Sequence, residues 1–170
     1  MEAAAAETLA EVGTFRNQGR MVDFVLQANV AGLTQADSLV QPEADGNCLN
    51  WVVGHLVCIY NQCLRLLGQE RVMGEAELKR YERGSPPIHG ASEALELGDL
   101  LAAWNETVRR VDAGLASLTA ERLNEPAPSP TGNPDETVRS LMATILFHQA
   151  YHAGQTGLLR RIAGKPGAIA

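Results

Sequence analysis

Residues 97–118 read LGDLLAAWNETVRRVDAGLASL, and the spacing of their apolar side chains decides the fold class. Leu97, Trp104, Val111 and Leu118 alternate with Leu101, Val108 and Leu115, in steps of four and three. A sustained mean step of about 3.5 marks an amphipathic helix packing almost parallel or antiparallel to its neighbours. The same rhythm recurs upstream, where Leu49, Val52, Leu56, Ile59, Cys63 and Leu66 step by three and four. A downstream seam runs Val138, Leu141, Ile145, His148, His152, Gln155, Leu159 and Ile162. An N-terminal segment is less regular, with Phe15, Val22, Leu26, Val30 and Leu33 as its best face.

Breakers separate these segments. YERGSPPIHGAS at 81–92 and the proline-rich NEPAPSPTGNP at 124–134 interrupt any helix, and a weaker break surrounds Pro42 and Gly46. Four helices are expected at roughly 14–33, 47–68, 92–120 and 135–163, with a short extra helix possible within 69–80. No run of alternating β-branched residues asks for a strand. The expected fold is all-α: an antiparallel four-helix bundle with long connections, one domain over residues 1–170.

Composition excludes several classes. The chain has 20 acidic and 14 basic residues, a net charge of −6, and no Lys/Arg run to serve as a nucleic-acid surface. No apolar stretch is long enough to cross a bilayer. The N-terminal MEAAAAETLAEV carries acidic residues where a signal peptide needs a positive start. Cys48, Cys58 and Cys63 are odd in number and close together, which suits reduced thiols of a cytoplasmic protein.

The C-terminal seam raises the functional question, because FHQAYHAGQ at 147–155 places two histidines and a glutamine where neighbours have leucine and isoleucine. A buried polar group without a partner costs about 1–3 kcal/mol, so these positions need compensation. Two readings stand for the pair: core histidines hydrogen-bonded to other groups, or i, i+4 imidazoles sharing one metal ion. His55, in the same mid-bundle layer if the second and fourth helices are neighbours, turns the balance. Three of the four histidines then converge, and three imidazoles suit Zn, Ni, Cu or Fe with a coordination position left open. Gln155 either orients His148 or His152 or caps a polar pocket.

NWVVGHL at 50–56 followed by HQAYHAGQTGLLRRIAG at 148–164 resembles the DinB-like family of bundle metalloproteins. The resemblance extends over nearly the whole chain. It implies a four-helix bundle, often a homodimer, with a divalent metal on His55, His148 and His152. Members include thiol-dependent enzymes such as mycothiol-dependent maleylpyruvate isomerase and bacillithiol transferases, besides many proteins with no known activity. One departure is Ala153, where relatives often carry a basic residue that contacts an anion.

Other motifs fall away on chemistry. HQAYH lacks the general base of H-E-x-x-H proteases, since Gln149 cannot take a proton. The carboxylates of di-iron bundles are missing from the histidine helix. Cys48 lies about 10.5 Å along the helix from His55 and cannot share its ion, and Cys58 reads as core. His89 reads as a solvated loop residue, Trp51 and Trp104 as packing. Tyr151 faces either the site mouth or a neighbouring helix.

Three neutral ligands leave the ion its full charge, so a water or a cofactor thiol at the open position would be acidified, a water to a pKa of about 7 in the zinc case. The expectation is therefore a cytoplasmic metal-dependent enzyme, a thiol S-transferase or small-molecule hydrolase. It would use Zn or Ni, with or without a low-molecular-weight thiol, on a small-molecule substrate and as a homodimer. The alternative is a structural or stress-response protein whose metal only ties two helices together.

Overall fold

The computed structural model describes residues 2–43 and 45–169. Four long helices dominate: α1 (Glu2–Val30), α3 (Leu49–Cys63), α5 (Leu97–Ala116) and α7 (Val138–Ile162). Three single-turn helices, α2 (Gln35–Ser38), α4 (Glu75–Leu78) and α6 (Ala120–Leu123), sit in the connections, and no strand forms among the described residues. α4 realises the short helix expected within 69–80, and a 3₁₀ turn at Lys79–Tyr81 continues it.

Local chemistry accounts for the helix limits. α1 starts well before residue 14 because Ala and Glu, which dominate its start, are among the strongest helix formers, and Val12 is the first buried residue among the described side chains. α7 starts at a capping box, where the Thr137 hydroxyl accepts from the Ser140 N–H and the Ser140 hydroxyl accepts from the Thr137 N–H. It ends at Gly164, whose φ of 77° lets the Lys165 N–H return to the Arg160 carbonyl at 3.1 Å.

Contacts between helices fix their directions. Arg16 pairs with Asp112 and the Trp104 indole donates to Asp23, so α1 and α5 are antiparallel. Arg139 pairs with Glu11 while Asn29 bonds to Thr156, so α1 and α7 run parallel. Trp51 and Val52, early in α3, share a cavity with His152 and Gln155, whereas Ile59 and Leu66, toward and just past its end, share one with Leu141 and Ile145, so α3 and α7 are antiparallel. Asn50 reaches Leu95 at one end and Leu67 abuts Gly114 at the other, so α3 and α5 are parallel. The bundle is therefore up-down-down-up, and residues 64–96 run back along its length between α3 and α5. That long connection turns two of the four neighbouring pairs from antiparallel to parallel.

The return connection also changes what is buried. α3 was expected to bury one seam, yet Trp51, Val53, Gly54, Val57, Cys58, Tyr60 and Asn61 are buried as well, while Ile59 of the seam is only half-buried. Leu78 and Tyr81 of the connection lie on the face that the other long helices leave free. α5 likewise turns slightly. Leu100, Thr107 and Gly114 are buried and Leu101 and Val108 lie at the edge, because the absent side chain of Gly114 lets Leu67 approach.

α7 carries two stripes. Met142, Leu146, Gln149, Ala153 and Thr156 are buried, whereas His148, His152 and Gln155 are half-buried. The sequence reading put the histidines in the core. They stand instead at its rim, between the α3–α7 interface and solvent.

Candidate metal centre

His55 comes from the middle of α3 and is 2% exposed, and His148 and His152 face it from α7 one turn apart. One nitrogen from each ring lies within 4.8 Å of the others, making this a group that can hold a metal ion. Ring centroids stand 5.1 Å apart for His55 and His148, 4.9 Å for His55 and His152, and 4.4 Å for His148 and His152.

The hydrogen bonds fix which nitrogens are available. His55 Nδ1–H donates to the Tyr81 carbonyl at 2.7 Å, since a carbonyl can only accept. Its Nε2 then carries a lone pair. His152 Nδ1–H donates to Gln155 Oε1 at 2.7 Å, which likewise frees Nε2. His148 Nε2 stands 3.2 Å from His55 Nε2, and His148 Nδ1 is buried without a partner. Two nitrogens bound tetrahedrally to one zinc at about 2.0–2.1 Å lie about 3.3 Å apart, so the observed spacing fits a shared cation. Neutral imidazole is the ligating form. Burial holds His55 and His152 below the ordinary imidazole pKa, and burial with the charges of His152 and His55 lowers His148 to about 4.

Around the rings, Trp51 stacks on His55 at 4.7 Å with planes 14° apart, and its indole N–H donates to Ser85 Oγ at 2.9 Å. Trp51 is thus a wall of the site rather than plain packing, whereas Trp104 lies wholly in the core. Tyr151 is 59% exposed and stands edge-on to His152 at the mouth. Gln149 is buried beside the cluster, its amide donating to the Leu56 carbonyl at 2.9 Å, and it lines neither cavity. His89 is exposed in its loop. All three cysteines are buried and free, and burial raises Cys58 to about 11 and Cys63 to about 12, so neither offers a thiolate.

Two cavities meet at the cluster. One, of about 480 Å³, runs toward the start of α3 past Trp51, Tyr151, His152 and Gln155. The other, of about 670 Å³, runs toward the end of α3 past Ile59, Cys63, Leu141 and Ile145. His55, His148 and Arg83 line both. Sequence reasoning missed Arg83, which sits in the 81–92 loop where no periodicity points. It places a cation at the site, and Ala153, buried against α1, cannot.

The profile of the DinB superfamily matches residues 25–156, a span that contains all three histidines. The chain belongs to that superfamily. Among solved structures it is similar to the crystal structure of a conserved protein from Enterococcus faecalis, with a TM-score of 0.70 and 15% identity over 90% of this chain and 97% of that one. At that identity the likeness concerns the DinB fold alone. No curated protein matches the sequence significantly.

Gln155 supplies a direct check on the centre. Replacing it by Leu removes the acceptor that fixes the His152 ring while leaving all three imidazoles. Zinc affinity, read by competition with a chromophoric chelator, is expected to fall about tenfold. Unchanged affinity would mean that the Gln155 contact does not set the ligand.

Proposed function

We propose that the protein is a metal-dependent enzyme that joins a low-molecular-weight thiol to a small electrophilic substrate. The supporting observation is the meeting of two cavities at the histidine cluster, sharing His55, His148 and Arg83. An ion that merely tied α3 to α7 needs no such space beside it, and a hydrolase needs only one organic subsite. A divalent ion held by His55, His148 and His152 supplies Lewis acidity at that junction, and zinc or nickel suits three imidazoles.

The chain's own groups do the rest. Tyr81 and Gln155 hold the outer nitrogens of His55 and His152, and Trp51 keeps the His55 ring from turning. Arg83 offers a guanidinium to negative charge on the sulfur or on the departing group. Among the described residues, no carboxylate lines either cavity to oppose an anionic reactant. The transfer forms one S–C bond and breaks one C–X bond, and X leaves with the thiol proton as HX.

The test screens the zinc form against small thiols, each paired with an electrophile. Turnover that needs both reactants and disappears in His152→Ala is the expected result. Ester cleavage without thiol would move the protein among the hydrolases. Metal removal that lowers only the thermal midpoint, with a cobalt form insensitive to thiol or azide, would favour the structural reading.

A homodimer belongs to the same proposal. Phe147 at 74% exposure, with Met21 and Phe24 on α1, gives the α1–α7 side large apolar residues in solvent. Sedimentation should return twice 18.2 kDa at micromolar concentration.

A further inference from the structure

The larger cavity has walls of one character and charges of another. Ile59, Leu66, Leu141 and Ile145 make its sides, and Pro128 and Pro130 close the end remote from the histidines. Every charged group on it apart from the histidines is a guanidinium: Arg65, Arg83 and Arg122. In a chain with 20 acidic and 14 basic residues, a lining without one carboxylate is a marked local reversal of sign.

Only one of those guanidiniums is committed. Arg122 pairs with Glu125 and donates to the Leu66 carbonyl. Arg65 and Arg83 make no hydrogen bond or ion pair among the described residues. Arg65 also acts on the Glu75 carboxylate, but that group is already paired with Arg71. A small inorganic anion would leave the apolar walls without a partner. A neutral lipid would leave the guanidiniums without one.

We infer that the groove between α3 and α7 receives an elongated organic anion, its carboxylate on Arg65, its hydrocarbon body between the helices and its other end at the histidines. Ten residues of α3 and the turn continuing it separate His55 from Arg65, about 15 Å of rise, which suits a chain of medium length. That this anion is a substrate rests on the proposed metal-dependent transfer, whereas its binding does not. The reacting group would sit at the end remote from the carboxylate, beside His148 and Arg83.

Decanoate and decanol serve as probes, titrated calorimetrically into the full chain with and without zinc, with zinc occupancy measured in the same samples. Decanoate should bind and decanol should bind at least tenfold more weakly. Arg65→Gln should weaken decanoate about tenfold, as loss of a charge-assisted bond does. Thr144→Phe, which fills the groove from a half-buried position on α7, should abolish binding. Because Arg65 is exposed, its replacement leaves the fold intact and keeps the test decisive if the larger side chain at 144 perturbs packing. Equal affinity for decanol, no binding at millimolar decanoate, or indifference to Arg65→Gln would each overturn the assignment. Zinc bound normally alongside any of those results would sink the groove alone. Decanoate bound to a protein that takes no zinc would sink the metal reading and leave the groove standing.

Discussion

His148→Ala is expected to fold normally and to lose tight divalent-metal binding. The wild-type chain should take close to one zinc or nickel ion, and the variant should bind it about a hundredfold more weakly or worse. The magnitude follows from ligand count: about 10–16 kcal/mol for a four-ligand structural zinc site is about 3 kcal/mol per ligand, or two orders of magnitude. Folding is spared because His148 sits at the rim of the core, and its removal deletes a buried, unpartnered Nδ1. The clamp suffers because His148 Nε2, 3.2 Å from His55 Nε2, bridges α7 directly to α3. Chelator competition reads the affinity and circular dichroism the fold. A wild-type protein that takes up neither metal, or an alanine variant of undiminished affinity, would refute the centre.

What the sequence disclosed about this site follows from where periodicity acts. His148, His152 and Gln155 share one helix face by simple arithmetic, and His55 joins them because α3 and α7 are neighbours. The direction of each helix was not legible, since a 3.5-residue rhythm is the same read up or down. Nor was the depth of the histidines. The buried stripe of α7 is built partly from Gln149, Ala153 and Thr156, whose polarity or small size hides a core face from any hydropathy pattern. Arg83, Ser85 and Tyr81 belong to a connection whose path is set by tertiary packing, so their roles beside Trp51 and His55 emerge only in three dimensions.

Gly54→Ala shows that packing most sharply, because helix propensity and tertiary structure predict opposite signs. Within a helix, Ala is favoured over Gly by about 1 kcal/mol, so local reasoning expects stabilisation. A Cβ on residue 54, however, would lie 2.1 Å from Tyr81 Cδ1 and 2.4 Å from its Cε1, inside the van der Waals surface of the ring. The ring cannot step aside cheaply. It is fully buried, and its hydroxyl both donates to Asn50 Oδ1 at 3.0 Å and accepts from the Leu95 N–H at 2.8 Å. Overpacking of this kind costs about 3 kcal/mol or more, leaving a net loss of about 2 kcal/mol after the propensity gain. The damage reaches the metal centre, since the carbonyl that accepts from His55 Nδ1 belongs to the same Tyr81, and zinc affinity should fall at least about tenfold. Gly13→Ala is the matched control: mid-helix in α1 with nothing within 4 Å of the added carbon, it should raise stability by about 0.5–1 kcal/mol and leave zinc affinity alone. Urea unfolding midpoints at unchanged slope measure both effects. Two glycine-to-alanine changes moving the midpoint in the same direction would mean that α3 and Tyr81 are not in the contact that holds His55.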